Sequence, residues 1–216
     1  VISVIDRIIY NVYCTKHFPE SKYKFIKDNA LFKEMLGFAG WSLIGNLAYV
    51  GATEGLNIML NMFFNPVVNA ARAIAVQIQG VMINFSSNVE NAIKPQITKS
   101  YAFENKERLF ALAYASGRFT FFALLLVSFP ILFEADTILK IWLHDVPEHT
   151  ANFVRLILVC TLVDVLSNPM LTLAQASLKI RRYQTIVGFV YLLVVPFAYI
   201  ALTYWKVPEI VFWVNL

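Results

Sequence analysis

The sequence predicts an all-α protein, a polytopic membrane helix bundle with five complete transmembrane helices and partial helices at both ends. Three observations support this prediction. The chain is 58% hydrophobic and only 15% charged, whereas soluble domains carry about a quarter of their residues as Asp, Glu, Lys or Arg. Its apolar residues form long segments, and its basic residues fall almost entirely in alternate loops. Such a chain has too little polar surface for water, so the lipid bilayer is its expected solvent.

Five segments are long and apolar enough to cross a bilayer, which takes about 20 residues. Residues 183–205 contain no charged side chain, and the other four segments each contain one or two. Those four are residues 36–62, 65–92, 109–133 and 151–178. Residues 1–13 are interpreted as the tail of a further helix and residues 210–216 as the start of another. We therefore expect the chain to be a fragment of a longer protein.

The orientation follows from the distribution of Lys and Arg, because cytoplasmic loops collect basic residues. Twelve basic residues lie on one side of the predicted spans, and two, Lys140 and Lys206, lie on the other. The twelve are Lys16, Lys22, Lys24, Lys27, Lys33, Lys94, Lys99, Lys106, Arg108, Lys179, Arg181 and Arg182. The basic side is predicted to face the cytoplasm. The charge forms no large cluster, so no nucleic acid is expected as a partner.

The longest loop on the opposite side, residues 134–150, mixes apolar and charged side chains. Its apolar members are Ile138, Leu139, Ile141, Trp142 and Leu143. This pattern predicts a short amphipathic helix at the membrane interface with Trp142 as its anchor. His17, His144 and His149 lie in predicted loops, and we expect them to be solvated.

The sequence contains no motif typical of an enzyme or a metal site. DxD, HExxH, GxSxG and Walker sequences are absent, and the predicted loops are too short to fold into a catalytic domain. The two cysteines have no CxxC or Cys/His spacing. The prediction is therefore a protein that is not an enzyme and that has no catalytic residues, no cofactor and no metal.

The first complete span has a polar stripe. Successive helical residues are turned by about 100°, which places six polar side chains within about one third of the circumference: Ser42, Asn46, Thr53, Glu54, Asn57 and Asn61. Amides around a carboxylate are costly in hydrocarbon, so the stripe is expected to line a water-filled cavity or a helix interface. The alternative is that these side chains only join helices through hydrogen bonds.

The second and fourth spans each contain a charged candidate. Arg72 lies near the outer end of its span, beside Gln79 on the same face, and is interpreted either as a cationic site in a cavity or as a side chain that snorkels outward. Asp164 lies beside Pro169, at a depth where a broken helix forms a binding crevice. The alternative for Asp164 is an ion pair with Arg118 or Arg72. Arg118 and Arg155 are interpreted as snorkelling residues.

Three stretches resemble a known family. They are NPVVNAARAIAVQIQ at residues 65–79, SSNVENAIKPQITKSYA at residues 86–102 and LTLAQASLKIRR at residues 171–182. Together with residues 36–61, they resemble the C-terminal lobe of polysaccharide flippases in the MATE-like MOP transporter superfamily. The resemblance covers nearly the whole chain.

The resemblance implies a fold of two lobes, with this chain as one of them. Residues 1–33 then correspond to the end of a transmembrane helix and the cytoplasmic inter-lobe loop. Residues 34–216 correspond to an incomplete C-terminal-lobe bundle in a bacterial inner membrane. The expected partners are the lipid bilayer, the missing N-terminal lobe of the same chain and a lipid-linked oligosaccharide.

The resemblance also implies a function. Such proteins flip undecaprenyl-diphosphate-linked oligosaccharide from the cytoplasmic to the periplasmic leaflet for surface polysaccharide biosynthesis. We expect Arg72 to contact the diphosphate, and we expect a further set of residues to line the sugar path: Glu54, Asn57, Asn61, Gln79 and Asp164. One alternative is a cation-coupled multidrug exporter of the same superfamily, in which Glu54 or Asp164 binds the ion. A membrane glycosyltransferase or polymerase is the other.

Overall fold

The computed structural model describes residues 2–18, 28–177 and 180–215, and this part of the chain is helical without any strand. It contains eight helices: α1 (Ile2–His17), α2 (Asn29–Phe63), α3 (Pro66–Ala102), α4 (Lys106–Phe133), α5 (Ala135–Trp142), α6 (Thr150–Ala176), α7 (Ile180–Trp205) and α8 (Ile210–Asn215). Helices α2, α3, α4, α6 and α7 are long and apolar enough to span a membrane. The all-α class is confirmed for the described residues, and the five predicted spans correspond to five helices that could cross a membrane, which suggests a multi-pass membrane protein.

The helices are longer than the apolar segments that predict them. Helix α2 begins at Asn29 and α3 continues to Ala102, so Lys94 and Lys99 lie on a helix instead of in a loop. Hydropathy marks only the part of a helix that suits hydrocarbon, whereas backbone hydrogen bonding continues through polar residues. The predicted boundaries of α3 were therefore wrong at its C-terminal end, and the turn to α4 is short.

The chain forms two compact units, Val1–Gly37 and Phe38–Leu216. In the first, the apolar side chains of α1 are mostly exposed, and the Tyr13 ring stacks on His17 with centroids 4.3 Å apart. Most of the predicted inter-lobe loop, including Lys22, Lys24 and Lys27, lies outside the described residues, as does Lys179.

Helix α6 is the centre of the second unit. It packs against α3, α4, α5, α7 and α8, and its Phe153, Val154 and Leu158 side chains are fully buried. Between membrane spans the stabilisation comes from close packing, because lipid tails are as apolar as these side chains. Gly117 of α4 permits one such approach, since a Cβ atom there would lie 2.9 Å from Cγ of Pro169. Helix α6 runs unbroken through Pro169, so the broken helix expected there is wrong.

Helix α2 packs on α7 through small residues. A Cβ atom on Gly45 would lie 1.9 Å from Oε1 of Gln184, and one on Gly55 would lie 2.9 Å from Cγ2 of Val195. Small residues allow two membrane helices to approach closely, which is the usual basis of such contacts in lipid. This contact places the polar stripe of α2 beside α3 and α7.

Helix α5 is the predicted amphipathic helix. Ala135 and Leu139 are buried, whereas Ile141 is 82% exposed and Trp142 is also exposed. The apolar side chains that face outward suit the interfacial location expected of it.

A network of hydrogen-bonded ionisable side chains joins the end of α4, the start of α5, the start of α6 and the turn before α8. Arg155 Nη2 lies 2.6 Å from Asp136 Oδ2, and its Nε donates to the Leu132 carbonyl at 3.1 Å. His149 Nδ1 lies 2.6 Å from Glu209 Oε1. We call Asp136, His149, Arg155 and Glu209 the ion-pair network.

The ion-pair network corrects two expectations. His149 is half-buried and paired rather than solvated, and Arg155 is held by Asp136 and a carbonyl rather than snorkelling. Asn152 connects the two pairs, because its amide lies 3.5 Å from both Glu209 Oε1 and Arg155 Nη1. The four side chains of the network therefore hold together segments that are distant in the sequence.

Candidate functional site

Three adjoining cavities lie along α2, α3, α6 and α7 within the second unit. The Glu54 cavity has a volume of about 460 Å³, the central cavity about 190 Å³ and the Glu90 cavity about 310 Å³. Arg72 lines both the Glu54 and the central cavity, and Asp164 lines both the central and the Glu90 cavity. Because the cavities share their walls, we treat them as one polar cleft.

All six predicted site residues line the polar cleft. Glu54, Asn57 and Asn61 line the Glu54 cavity with Arg72. Gln79 and Asp164 line the central cavity, which Arg72 also borders. Helical periodicity accounts for the grouping of the three α2 residues, since side chains on one face of a helix share a neighbour. Ser42, at the start of the predicted stripe, lines none of these three cavities.

Arg72 is buried between α2 and α3, with 6% of its surface exposed. Its Nη1 donates to Oδ1 of Asn57, and its Nη2 lies 3.5 Å from the Thr53 carbonyl oxygen. Nε is buried without a hydrogen-bond partner. The guanidinium is therefore directed at the polar stripe of α2, which disfavours the snorkelling interpretation and leaves donors available.

Asn57 connects Arg72 to the Glu54 carboxylate. Its Nδ2 donates to Glu54 Oε2 at 3.0 Å while its Oδ1 accepts from Arg72. The amide thus separates two opposite charges that do not form a direct ion pair in the part of the chain that the structure describes. An amide between two charges can be displaced by a ligand that bonds either of them more strongly.

The start of α3 fixes the position of Arg72. Asn65 caps the helix, because its Oδ1 accepts from the backbone N–H of Val68 at 3.1 Å, and Pro66 follows at the first helical position. Asn and Pro favour these two positions because they fix the entry of the chain into the helix. The two-residue turn from Phe63 sets Arg72 opposite Asn57, which lies near the end of α2.

Asp164 has an unpaired carboxylate. Over residues 2–18, 28–177 and 180–215 its side chain makes no hydrogen bond or ion pair, and neither Arg72 nor Arg118 lies within ion-pair distance. Its backbone carbonyl accepts from Ser167 Oγ at 2.6 Å. The alternative of an ion pair with either arginine is wrong in this conformation. The carboxylate faces the central and Glu90 cavities instead.

The Glu90 cavity contains a cluster that the sequence did not reveal. Glu90 Oε1 accepts from Ser86 Oγ at 2.9 Å and from Asn168 Nδ2 at 2.5 Å. Ser86 and Glu90 are four residues apart on α3, a spacing that indicates a shared face. Nothing in the sequence identifies Asn168 of α6 as their partner, because helical periodicity gives the face of a helix but not its neighbour.

Gln79 and two tyrosines complete the middle of the polar cleft. Gln79 Nε2 donates to Thr161 Oγ1 at 3.2 Å, which ties α3 to α6. The rings of Tyr49 and Tyr191 meet edge to face with centroids 5.3 Å apart, and both line the central and Glu90 cavities. Aromatic faces bind sugar rings and cations alike.

The charges along the polar cleft are three carboxylates and one guanidinium. Glu54, Glu90 and Asp164 provide the negative charges and Arg72 the positive one. Of the charged groups that line the cleft in the described residues, only Arg72 attracts an anion. The Asp164 end favours cations or uncharged polar groups.

No protein family matches the chain, and neither a curated protein nor a solved structure matches it. The functional argument therefore depends on the site itself. Amides, hydroxyls, single charges and aromatic rings surround a cleft inside a bundle of membrane-type helices. This arrangement can bind a polar or charged solute within an apolar surrounding.

Proposed function

We propose that this chain is part of a membrane transporter that flips undecaprenyl-diphosphate-linked oligosaccharide from the cytoplasmic to the periplasmic leaflet of a bacterial inner membrane. The single observation that best supports the proposal is Arg72, a buried guanidinium at the edge of a polar cleft between membrane-type helices. Guanidinium geometry suits two phosphate oxygens at once, which an ammonium cannot match.

The diphosphate would bind at the junction of the Glu54 and central cavities. There it displaces the Asn57 amide from Arg72, because the phosphate oxygens carry a full negative charge and can accept two hydrogen bonds from the guanidinium, whereas the amide oxygen carries only a partial charge. The released amide can then bond a sugar hydroxyl, as can Asn61 and Glu54 beside it. No bond is made or broken in the substrate, and its lipid tail stays in the bilayer.

The sugar would occupy the part of the polar cleft beyond Arg72. Gln79 and Asp164 offer an amide and a carboxylate for hydroxyl groups there, and Tyr49 and Tyr191 offer ring faces. The Asp164 and Glu90 carboxylates repel a diphosphate from this end, so they would orient the substrate with its charged group at Arg72. The missing lobe would form the opposite wall.

The test is the substitution Arg72→Ala in the full-length protein. We expect surface polysaccharide to be lost while the lipid-linked precursor accumulates in the inner leaflet, measured by polysaccharide gel and by lipid extraction. Arg72→Lys should retain part of the activity, because lysine keeps the positive charge but lacks the planar guanidinium that can bond two phosphate oxygens. The matched control is Arg118→Ala, an exposed arginine of α4 outside the three cavities. Normal polysaccharide in Arg72→Ala, or an equal loss in the control, contradicts the diphosphate role.

A cation-coupled multidrug exporter is the second candidate, and the unpaired Asp164 favours it. A carboxylate beside two tyrosine rings can bind an inorganic or organic cation. The exporter predicts that Asp164→Asn abolishes efflux of a cationic dye and that Arg72→Ala leaves this efflux unchanged. The flippase predicts that Arg72→Ala abolishes surface polysaccharide. Loss of polysaccharide in Arg72→Ala without any change in dye efflux supports the flippase.

A further inference from the structure

A small notch lies at the turn between α3 and α4, at the opposite end of α3 from Arg72. It has a volume of about 230 Å³ and is lined by Gln96, Lys99, Ser100, Phe103, Asn105 and Arg108. None of these residues lines the polar cleft. The charge distribution of the sequence predicts that this turn faces the cytoplasm.

The Ser100 hydroxyl is the first sign of a ligand at this notch. Ser100 is only 5% exposed, and its hydroxyl has no hydrogen-bond partner within the part of the chain that the structure describes. The hydroxyl oxygen keeps some contact with the notch, since the fully buried unpaired side-chain atoms of the described residues are Arg72 Nε and Glu209 Oε2. Since Ser100 lines the notch, a ligand bound there can supply the missing partner.

The start of α4 supplies the second feature. Asn105 caps this helix by accepting from the Arg108 backbone N–H at 3.0 Å, and its own N–H donates to the Ser100 carbonyl at 3.0 Å. These two bonds fix the turn against both helices. The N-terminal end of a long helix carries partial positive charge, which favours an anion nearby.

Two cations complete the notch. Lys99 and Arg108 are exposed, and within the described residues neither forms an ion pair, although Glu104 and Glu107 lie in the same segment. Lysine and arginine that are not neutralised by carboxylates remain available for an anion. A phosphate group fits two cations, a hydroxyl and a helix N-terminus better than a carboxylate does, because it has more acceptor oxygens.

We propose that this notch binds the phosphate group of an anionic membrane lipid. A lipid is favoured over free phosphate because Phe103, at the edge of the notch, is 73% exposed. An exposed aromatic side chain at the end of two membrane-type helices can enter the acyl-chain region while the cations hold the headgroup. The bound lipid would fix the turn that joins α3, which carries Arg72, to α4.

The experiment measures lipid binding to the full-length protein by native mass spectrometry in detergent. The probes are phosphatidylglycerol, phosphatidylcholine and inorganic phosphate. We expect the doubly substituted protein, Lys99→Gln with Arg108→Gln, to bind phosphatidylglycerol at least about tenfold more weakly. Ser100→Ala should weaken binding about three- to fivefold, since one hydrogen bond to a charged group is lost. Circular dichroism verifies that each variant is folded.

The matched control is Lys94→Gln with Lys106→Gln, which removes the same charge from residues that do not line the notch. It should change phosphatidylglycerol affinity by less than about twofold. An equal loss in the control, or equal binding of phosphatidylcholine, overturns the proposal by showing that the attraction is unspecific. Displacement of phosphatidylglycerol by millimolar inorganic phosphate would overturn the lipid assignment and identify a soluble phosphate as the ligand.

Discussion

The ion-pair network and the polar cleft differ in whether their charged side chains have partners of opposite charge. In the network, Arg155 and His149 each lie 2.6 Å from a carboxylate. In the polar cleft, Asp164 has no partner and Arg72 bonds only an amide and a carbonyl. Both regions lie in the same unit and both join α6 to other helices. We attribute this difference to function: the paired side chains hold the fold together, and the unpaired side chains are available to a ligand.

A charge between membrane helices that lacks a counter-charge carries a cost, estimated at about 2.5–3.5 kcal/mol at the centre of a span. Pairing offsets much of that cost, and the removal of one partner from a pair is destabilising because the other is left uncompensated. An unpaired charge contributes no such stabilisation, and in the polar cleft the proposed function accounts for it by the ligand that it would bind. Substitutions in the network should therefore mainly lower the free energy of unfolding, and substitutions in the polar cleft should mainly lower transport.

The largest effect that tests this comparison is expected for Asp164→Asn. Transport of the lipid-linked oligosaccharide by the full-length protein should fall at least about tenfold, because the Asp164 carboxylate lines two of the three cavities. The apparent free energy of unfolding should not fall, because no protein partner is lost and the cost of the unpaired charge is removed. Transport assays in vesicles and thermal unfolding in detergent measure the two quantities.

Asp145→Asn is the control for Asp164→Asn, since Asp145 is an exposed carboxylate outside the three cavities. It should change neither quantity. A clear drop in the stability of Asp164→Asn would assign Asp164 to the same class as the ion-pair network and remove the contrast between the two regions.

The second prediction concerns Glu209→Ala in the ion-pair network. Glu209 Oε1 lies within 2.6 Å of His149 and 3.5 Å of Asn152, and the Glu209 side chain is 16% exposed. Removing it should lower the apparent free energy of unfolding by about 1.5–3 kcal/mol, the usual value of a hydrogen bond to a charged group. Transport measured well below the unfolding temperature should change little.

Glu148→Ala is the control for this substitution, because Glu148 is an exposed carboxylate next to His149. It should lower stability by less than about 0.5 kcal/mol. If Glu209→Ala stops transport without loss of stability, the network belongs to the transport machinery, and the contrast between a stabilising network and a functional cleft is contradicted.

The parts of this molecule that the sequence predicts depend on local periodicity and composition. Hydropathy located five spans, and the turn of the helix grouped Glu54, Asn57 and Asn61 on the face that lines the polar cleft. The length of α3 was missed, because its polar last turns resemble a loop in composition.

The contacts between distant segments could not be predicted. The pairs His149–Glu209 and Asn168–Glu90 join residues 60 and 78 positions apart. Their formation depends on which helices become neighbours, and the sequence of a single helix does not contain that information. The unpaired state of Asp164 was equally hidden, since only the fold shows that it forms no ion pair with Arg118 or Arg72.

The smallest effect is expected for Gly55→Ala, which tests the packing that shapes the polar cleft. A Cβ atom there would lie 2.9 Å from Cγ2 of Val195, a side chain with little rotamer freedom. The clash should cost more than alanine gains in helix propensity, with a net loss of about 1 kcal/mol.

Gly51 lies one turn earlier on α2, and a Cβ atom there would meet nothing within 4 Å. Gly51→Ala should therefore raise stability by about 0.5–1 kcal/mol. Because Glu54 is adjacent to Gly55, a shift of α2 away from α7 also moves the polar stripe relative to Arg72. Gly55→Ala should thus lower transport together with stability, unlike either Asp164→Asn or Glu209→Ala. Equal stabilisation by both glycine substitutions would contradict a close contact between α2 and α7, and with it the shape of the cleft.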